Sequence, residues 1–236
     1  MTKDSPSLED IRSKAKKKMK GICGVFPVCD GNQNRICQGK SYGTPLKFGG
    51  TGSGASFKNN VDALARLKLK MRVIGEHVNP DTGYEFFGQQ LSMPIMAAST
   101  AGVNSFGGEE VISEIDFCTA VVEGCKQAGT IGWRGHAYNY KIEEPHGINA
   151  IANASGWGVK IVKPMGQNTV LNYLQKAEEA GCIAVGVDVD GCGSYATGRY
   201  LDHVQRKNVD DLRELIIATN SIYKVGQSWT PCPRGR

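Results

Sequence analysis

No apolar run in this 236-residue chain approaches the ~18 residues that cross a bilayer, and its N-terminus is charged. The sequence therefore holds neither a membrane span nor a signal peptide, and it reads as a cytoplasmic protein with no membrane partner. Histidine is scarce: His77, His136, His146 and His203 are the only four, and they show no metal-type spacing. The eight cysteines lack any C-x2-C pair, so zinc ribbons and ferredoxin runs are excluded, and without an export signal the thiols are expected to be reduced. Cys23, Cys29 and Cys37 follow a C-x5-C-x7-C spacing that would need a fourth ligand from elsewhere to hold a metal, so no metal site is assigned and the three read as loop cysteines. Cys118 and Cys125 read as packed core residues rather than nucleophiles. The glycine-rich stretch 48–55 (FGGTGSGA) is neither closed by Gly-Lys-Ser/Thr nor preceded by a buried strand, which excludes a P-loop and a dinucleotide fingerprint. What remains there is a loop that can approach a ligand's phosphate or an active-site mouth.

Net positive charge is also scarce outside one place. Residues 1–20 carry seven Lys/Arg against Asp4, Glu9 and Asp10, which accounts for +4 of the formal +5, so the rest of the chain is nearly neutral and no nucleic-acid partner is expected. Ser7 with Asp10 three residues on resembles a capping box, and Ile11, Ala15 and Met19 recur at helical spacing, so residues 7–20 read as an amphipathic helix with a solvated basic face. Residues 21–54 have little periodicity. Residues 57–74 are amphipathic around Val61, Leu64, Leu67, Leu69 and Met71, and the turn signal at Pro80-Asp81-Thr82-Gly83 precedes a short strand or hairpin over 84–93.

The rest of the chain is organised around the stretch 175–190 (QKAEEAGCIAVGVDVD). A helix ends at Gly181, where glycine accepts the left-handed conformation, and the apolar run after it suits a parallel strand buried on both faces. Asp188 and Asp190 stand at its carboxyl end, either as a functional pair or as caps of a turn. The same strand-then-helix pattern occurs four times, with strands at 94–98, 130–133, 159–163 and 183–187 and helices at 109–128, 148–154, 169–180 and 209–219. This is an α/β chain with a parallel sheet or barrel. Its strand ends supply Ser99 and Thr100, then Arg134 and His136, then Lys163, then Asp188 and Asp190, a polar rim in which His136 is the histidine placed as a site candidate.

Lys68, Met71, Arg72 and Ile74, then Asp81-Thr82, then 87–101 (FGQQLSMPIMAASTA) and later 180–190 closely resemble the FMN-dependent α-hydroxy-acid dehydrogenase/oxidase family, which includes glycolate and lactate oxidases. The resemblance covers roughly residues 57–220. It implies a TIM (β/α)8-barrel type of fold with about the first four βα units present, and FMN bound at the barrel's C-terminal face. Three regions are expected: a basic helix and Cys/Gly-rich loop over 1–56, the N-terminal part of the barrel over 57–220, and an irregular tail over 221–236. Ser99, Thr100 and Ala101 fall where the family's Pro-Thr-Ala turn lies against the flavin ring, with Ser99 in place of the usual Pro. Asp190 matches the acid that pairs with the catalytic histidine, and Asp188 stands where a Thr normally faces the flavin. Lys160 occupies the place of a flavin-binding Gln, Val162 that of a substrate-binding Tyr, and the Arg expected soon after Asp190 is missing unless Arg199 serves.

Past residue 220 the family continues into a fifth strand with a flavin-contacting Lys, a His-Gly-Gly-Arg element and the FMN phosphate site. Residues 221–236 follow neither strand nor helix periodicity, so a shortened reading of a longer gene with weakened FMN binding is expected, and Lys224 is not assigned the lysine's role. The activity implied is hydride transfer from a small 2-hydroxy acid to FMN, in a protein that forms homo-oligomers. Neither the catalytic histidine nor the main arginine is found. Two alternatives therefore stay open: an inactive half-barrel that self-associates, and another FMN- or phosphate-binding TIM barrel such as the isopentenyl-diphosphate isomerase type.

Overall fold

The computed structural model describes residues 7, 10, 11, 14, 55–71, 74–75, 79–103, 111–137, 145–189, 204–219 and 223–226. The chain divides into two compact units, residues 1–77 with 104–112 and residues 78–103 with 113–236. In the first, Ser7 and Asp10 cap each other reciprocally: the Asp10 N–H donates to Ser7 Oγ at 3.1 Å and the Ser7 N–H to Asp10 Oδ2 at 3.2 Å. Asp10, Ile11 and Lys14 are helical. Helix α1 (Ala55–Arg66) covers only the first part of the amphipathic stretch read over 57–74. From Leu67 the sequence alternates Leu-Lys-Leu-Lys-Met with a period of two, which a helix cannot gather on one face, and Leu67, Leu69 and Met71 are exposed.

The second unit begins with a hairpin, one of the two forms expected over 84–93. Strands β1 (Tyr84–Phe86) and β2 (Gln89–Leu91) pair antiparallel with Tyr84 opposite Leu91. Phe87 (φ 49°) and Gly88 (φ 73°) form the two-residue loop, both on the positive-φ side that matches the twist of a hairpin. Five strands then line up in sequence order in one parallel sheet: β3 (Ala97–Thr100), β4 (Gly132–Arg134), β5 (Val159–Val162), β6 (Ala184–Val187) and β7 (Tyr223–Gly226). Between them run α2 (Glu114–Gln127), α3 (His146–Asn153), α4 (Gln167–Glu179) and α5 (Val209–Ala218). Strand β7 departs from the irregular tail expected over 221–236. It pairs in register with β6, Lys224 opposite Val185, because a sheet edge recruits backbone N–H and C=O groups whatever the side-chain periodicity. Among the described residues no helix is long and apolar enough to cross a membrane.

Every residue of β5 and β6 is buried, which explains why these runs are apolar without alternation. One side packs Val159, Ile161 and Ala184 with Trp133 and with Leu91 of the hairpin. The other packs Val162, Val185 and Val187 under the helices with Cys118, Ile148 and Leu174. Each fully buried Val or Ile contributes roughly 1.5–3 kcal/mol, so the two central strands anchor the unit.

Three helices end on one device. The Gly129 N–H bonds to Lys126 O and the Thr130 N–H to Cys125 O, and the same pair of bonds closes α3 at Ser155 and Gly156 and α4 at Gly181 and Cys182. This is the Schellman motif, with Gly129 (φ 71°), Ser155 (φ 60°) and Gly181 (φ 73°) in the left-handed position. The expected stop at Gly181 is thus where α4 ends. The turns after α3 and α4 also touch: a Cβ on Gly156 (φ 82°) would lie 2.3 Å from Gly181 O, whereas one on Gly181 would meet nothing nearer than 3.7 Å. Gly181→Ala should therefore cost only the left-handed penalty of about 1–2 kcal/mol, and Gly156→Ala should cost clearly more because backbone must shift. Urea unfolding midpoints measure the difference; equal losses would contradict the close approach.

Candidate functional site

The carboxyl ends of the parallel strands bring the expected rim together. Ser99 and Thr100 are the last residues of β3, with Ala101 next; Gly135 and His136 follow β4, Lys163 follows β5 and Asp188 follows β6. Asp190 and Arg199 lie outside the described residues. Gly135 lets the first two strand ends close up. Its N–H donates to Thr100 O at 3.2 Å, and a Cβ there would stand 3.3 Å from Ser99 Oγ and 3.4 Å from Ala101 N.

Lys163 and Asp188 form an ion pair across the ends of β5 and β6, each side chain less than one-fifth exposed. Val162 and Val187 are register partners, so the residues after them fall side by side. Read separately from the sequence, they are a lysine and an acid on one rim. The equal spacing of the two strand starts from the glycines three residues before them, Gly156 and Gly181, was a signal that could have paired them.

A second cluster lies on the helix-facing side of the sheet. Arg134 and Lys160 are register partners on β4 and β5, and they alternate with Trp133, Val159 and Ile161, which pack on the opposite side. Both are buried, Arg134 completely. The Lys160 ammonium donates to Gly135 O. Burial pushes the pKa of Lys160 down to about 8, opposed by Cys118 and reinforced by Arg134. Arg134 lies over the Phe117 ring at 4.8 Å, and none of its three guanidinium nitrogens has a hydrogen-bond partner among the described residues.

Glu114, at the start of α2, is buried and accepts from the Gly102 N–H at 2.9 Å and the Val103 N–H at 2.6 Å, clamping the segment after β3. Sequence reading missed it; the Ser113 N-cap with acids at the next position and at Asp116 was the available signal. A cavity of about 20 Å³, enough for a water or a small ion, lies among Ala101, Glu114, His136, His146, Gly147 and Lys160. Two residues expected at the flavin, Ala101 and Lys160, thus meet His136 there. His136 stacks edge-on against Tyr173 at 4.8 Å, and burial, Lys160 and Lys163 together pull its pKa down to about 3. It is a neutral imidazole at pH 7. Burial raises Cys118, and it pushes Cys182 up to about 12, so both thiols stay protonated and fit the core role read for Cys118. Among the described residues no group of His, Cys, Asp and Glu is placed to hold a metal.

The folded-state pKa of Lys160 lies below its ordinary value, so between about 8 and 10.5 the unfolded chain holds a proton that the folded chain has lost. Stability should accordingly rise with pH across that window, and the penalty should be fully present below it. Replacing Lys160 by Met should remove this slope, worth on the order of 3 kcal/mol across the window. Urea unfolding of both proteins at several pH values measures it; parallel profiles would contradict the buried ammonium.

The chain matches the family of FMN-dependent dehydrogenases over residues 47–210. No curated protein matches it. Among solved structures, a mandelate oxidase variant with 2-hydroxy-phenylacetamide superposes with a TM-score of 0.59 at 18% identity, covering 91% of this chain and 60% of that one. A mandelate oxidase variant with (S)-mandelic acid gives a TM-score of 0.54 at 20% identity, covering 75% and 54%. A flavocytochrome b2 variant with sulfite bound gives 0.50 at 15% identity, covering 67% and 42%. These neighbours are TIM-barrel flavoenzymes, and the chain spans little more than half the length of the mandelate oxidases. The parallel sheet with its polar groups at the carboxyl ends is a partial barrel of that type, and with the match over most of its length the chain belongs to the FMN-dependent dehydrogenase family, whose cofactor is FMN.

Proposed function

We propose that the chain serves an FMN-dependent oxidoreductase acting on a small 2-hydroxy acid, with the flavin ring resting on Ser99, Thr100 and Ala101. The observation that carries this reading is the rim itself: the turn after β3 is held against Gly135, and Lys163 and Asp188 stand at the ends of β5 and β6. These residues fit the cofactor, because the turn presents backbone and short side chains to a flat ring while Gly135 leaves no side chain in the way. FMN, when bound, supplies the acceptor for the hydride from the α-carbon. Lys163 compensates the charge of Asp188 next to the ring, and Lys160 lines the same cavity as Ala101. Asp190 orients the histidine that takes the hydroxyl proton and stabilises its charged form. The substrate class comes from the family resemblance and from the hydroxy-acid ligands of the mandelate oxidases.

In a version of the protein that also carries the histidine and arginine not found in this chain, anaerobic mixing with glycolate, lactate and mandelate in the presence of FMN should bleach the visible flavin absorbance with at least one of them. Asp190→Asn should slow that bleaching by a factor on the order of 10²–10⁴, the worth of a positioned acid–base system. No bleaching with any of the acids would contradict the function, and equal rates would show that Asp190 is a turn residue only.

We also propose that the chain self-associates, since β3 and β7 each leave one side unpaired among the described residues. Light scattering after size exclusion should give a mass of at least two chains; a monomer at micromolar concentration would contradict this.

A further inference from the structure

The turn after β3 is tied down by backbone on one flank and by a carboxylate on the other. The Gly135 N–H holds Thr100 O at 3.2 Å. On the far flank Gly102 takes a left-handed conformation (φ 86°), which swings its N–H and that of Val103 toward one point. Glu114 occupies that point. Its Oε1 accepts from the Gly102 N–H at 2.9 Å and its Oε2 from the Val103 N–H at 2.6 Å, and the Cys118 thiol donates to Oε1 at 3.6 Å. Gly102, Val103 and Glu114 are all buried.

Helix α2 does not need this carboxylate turned inward. Its N-terminus is already closed by Ser113 Oγ, which accepts from the Asp116 N–H at 3.2 Å, and exposed Asp116 supplies an acid to the first turn. A buried carboxylate is costly even when hydrogen-bonded, so its place at a helix start that would tolerate a neutral residue points to the segment it holds. The helix is a firm reference for that segment, because Cys118 and Val122, one and two turns on from Glu114, lie in the core. Gly102 follows Ala101 directly. A shift of either clamped N–H therefore moves the surface that Ser99, Thr100 and Ala101 present.

We propose, resting on the flavin reading of this rim, that Glu114 is a positioning residue for FMN: it acts through the backbone of 101–103, holding the turn after β3 at the level where the ring lies. Glu114→Gln keeps the shape of the side chain but leaves one oxygen where two N–H groups converge, so one of them loses its acceptor and faces an amide donor.

Hydrogen–deuterium exchange without FMN should find the Gly102 and Val103 amides protected in the unaltered protein and exchanging at least about tenfold faster in Glu114→Gln, the worth of one hydrogen bond to a charged group. The FMN dissociation constant, read by quenching of flavin fluorescence, should rise by at least about tenfold. At saturating FMN the visible circular dichroism of the bound flavin should change with the seat of the ring. Val122→Ala, which opens a cavity in the same helix away from the clamp, is the control: it should lower the urea midpoint, leave the dissociation constant within about twofold and leave the dichroism unaltered. Freed amides with unchanged FMN affinity and dichroism would overturn the role of Glu114 and leave the flavin site standing, and so would equal effects of Val122→Ala. An unaltered protein that takes up no FMN would remove the flavin reading and this role with it. If Glu114→Gln does not fold, Glu114→Asp, which keeps the charge and shortens the reach, takes its place in the same measurements; exchange at Gly102 and Val103 in the unaltered protein as fast as in an unstructured peptide would overturn the clamp outright.

Discussion

The structure depends on two adjacent parallel strands, β5 and β6, having no solvent-facing side. All eight of their residues are buried, so a polar side chain within them is costly unless its polar atoms are matched. Lys160 is the one charged residue inside these strands, and its ammonium is matched by the Gly135 carbonyl. Past the ends of these two strands, charge stands on the first residue, Lys163 and Asp188. That is why Lys163 and Asp188 sit at the same level and can pair, and why the chemistry collects at one edge of the sheet. Close backbone approach at Gly135 and Gly156 holds that edge and the opposite one in place.

Burial also decides what each rim group can do. His136 is held neutral under the positive charge of Lys160 and Lys163, so it can donate or accept one hydrogen bond but is a poor proton carrier at pH 7. Under the function proposed above, the acid–base work falls to Asp190 and a histidine partner rather than to His136. Asp188, paired with Lys163, presents an ion pair at a position where the family resemblance expects a neutral hydroxyl, and this changes the polarity of the rim without adding net charge.

Much of the sheet was legible in the sequence because each element carried a local signal. The four strand–helix repeats, the hairpin around Phe87-Gly88 and the stop at Gly181 follow from hydrophobic runs and glycine positions, and all of them form. Strand β7 was not legible, since an edge strand is recruited by its neighbour's backbone and needs no pattern of its own. Helix α1 ends early because a mean amphipathic character hid the change of period at Leu67. For the site, the chain positions of Ser99, Thr100, Lys163 and Asp188 could be read from strand ends. The pairing of Lys163 with Asp188 and the direction of Lys160 depend on register between strands, and the clamp made by Glu114 depends on a tertiary contact. None of these is encoded by local spacing.

Engagement of FMN by the carboxyl-end rim of this sheet is tested most directly by hydrogen–deuterium exchange with and without FMN, because backbone amides report the footprint whether or not turnover occurs. FMN should slow exchange in peptides covering 98–103, 134–137, 161–165 and 186–190 and leave the hairpin over 84–91 and the turns at 128–130 and 154–158 unchanged. Protection at those turns with none at the rim, or no protection anywhere at saturating FMN, would contradict a flavin site at the strand ends.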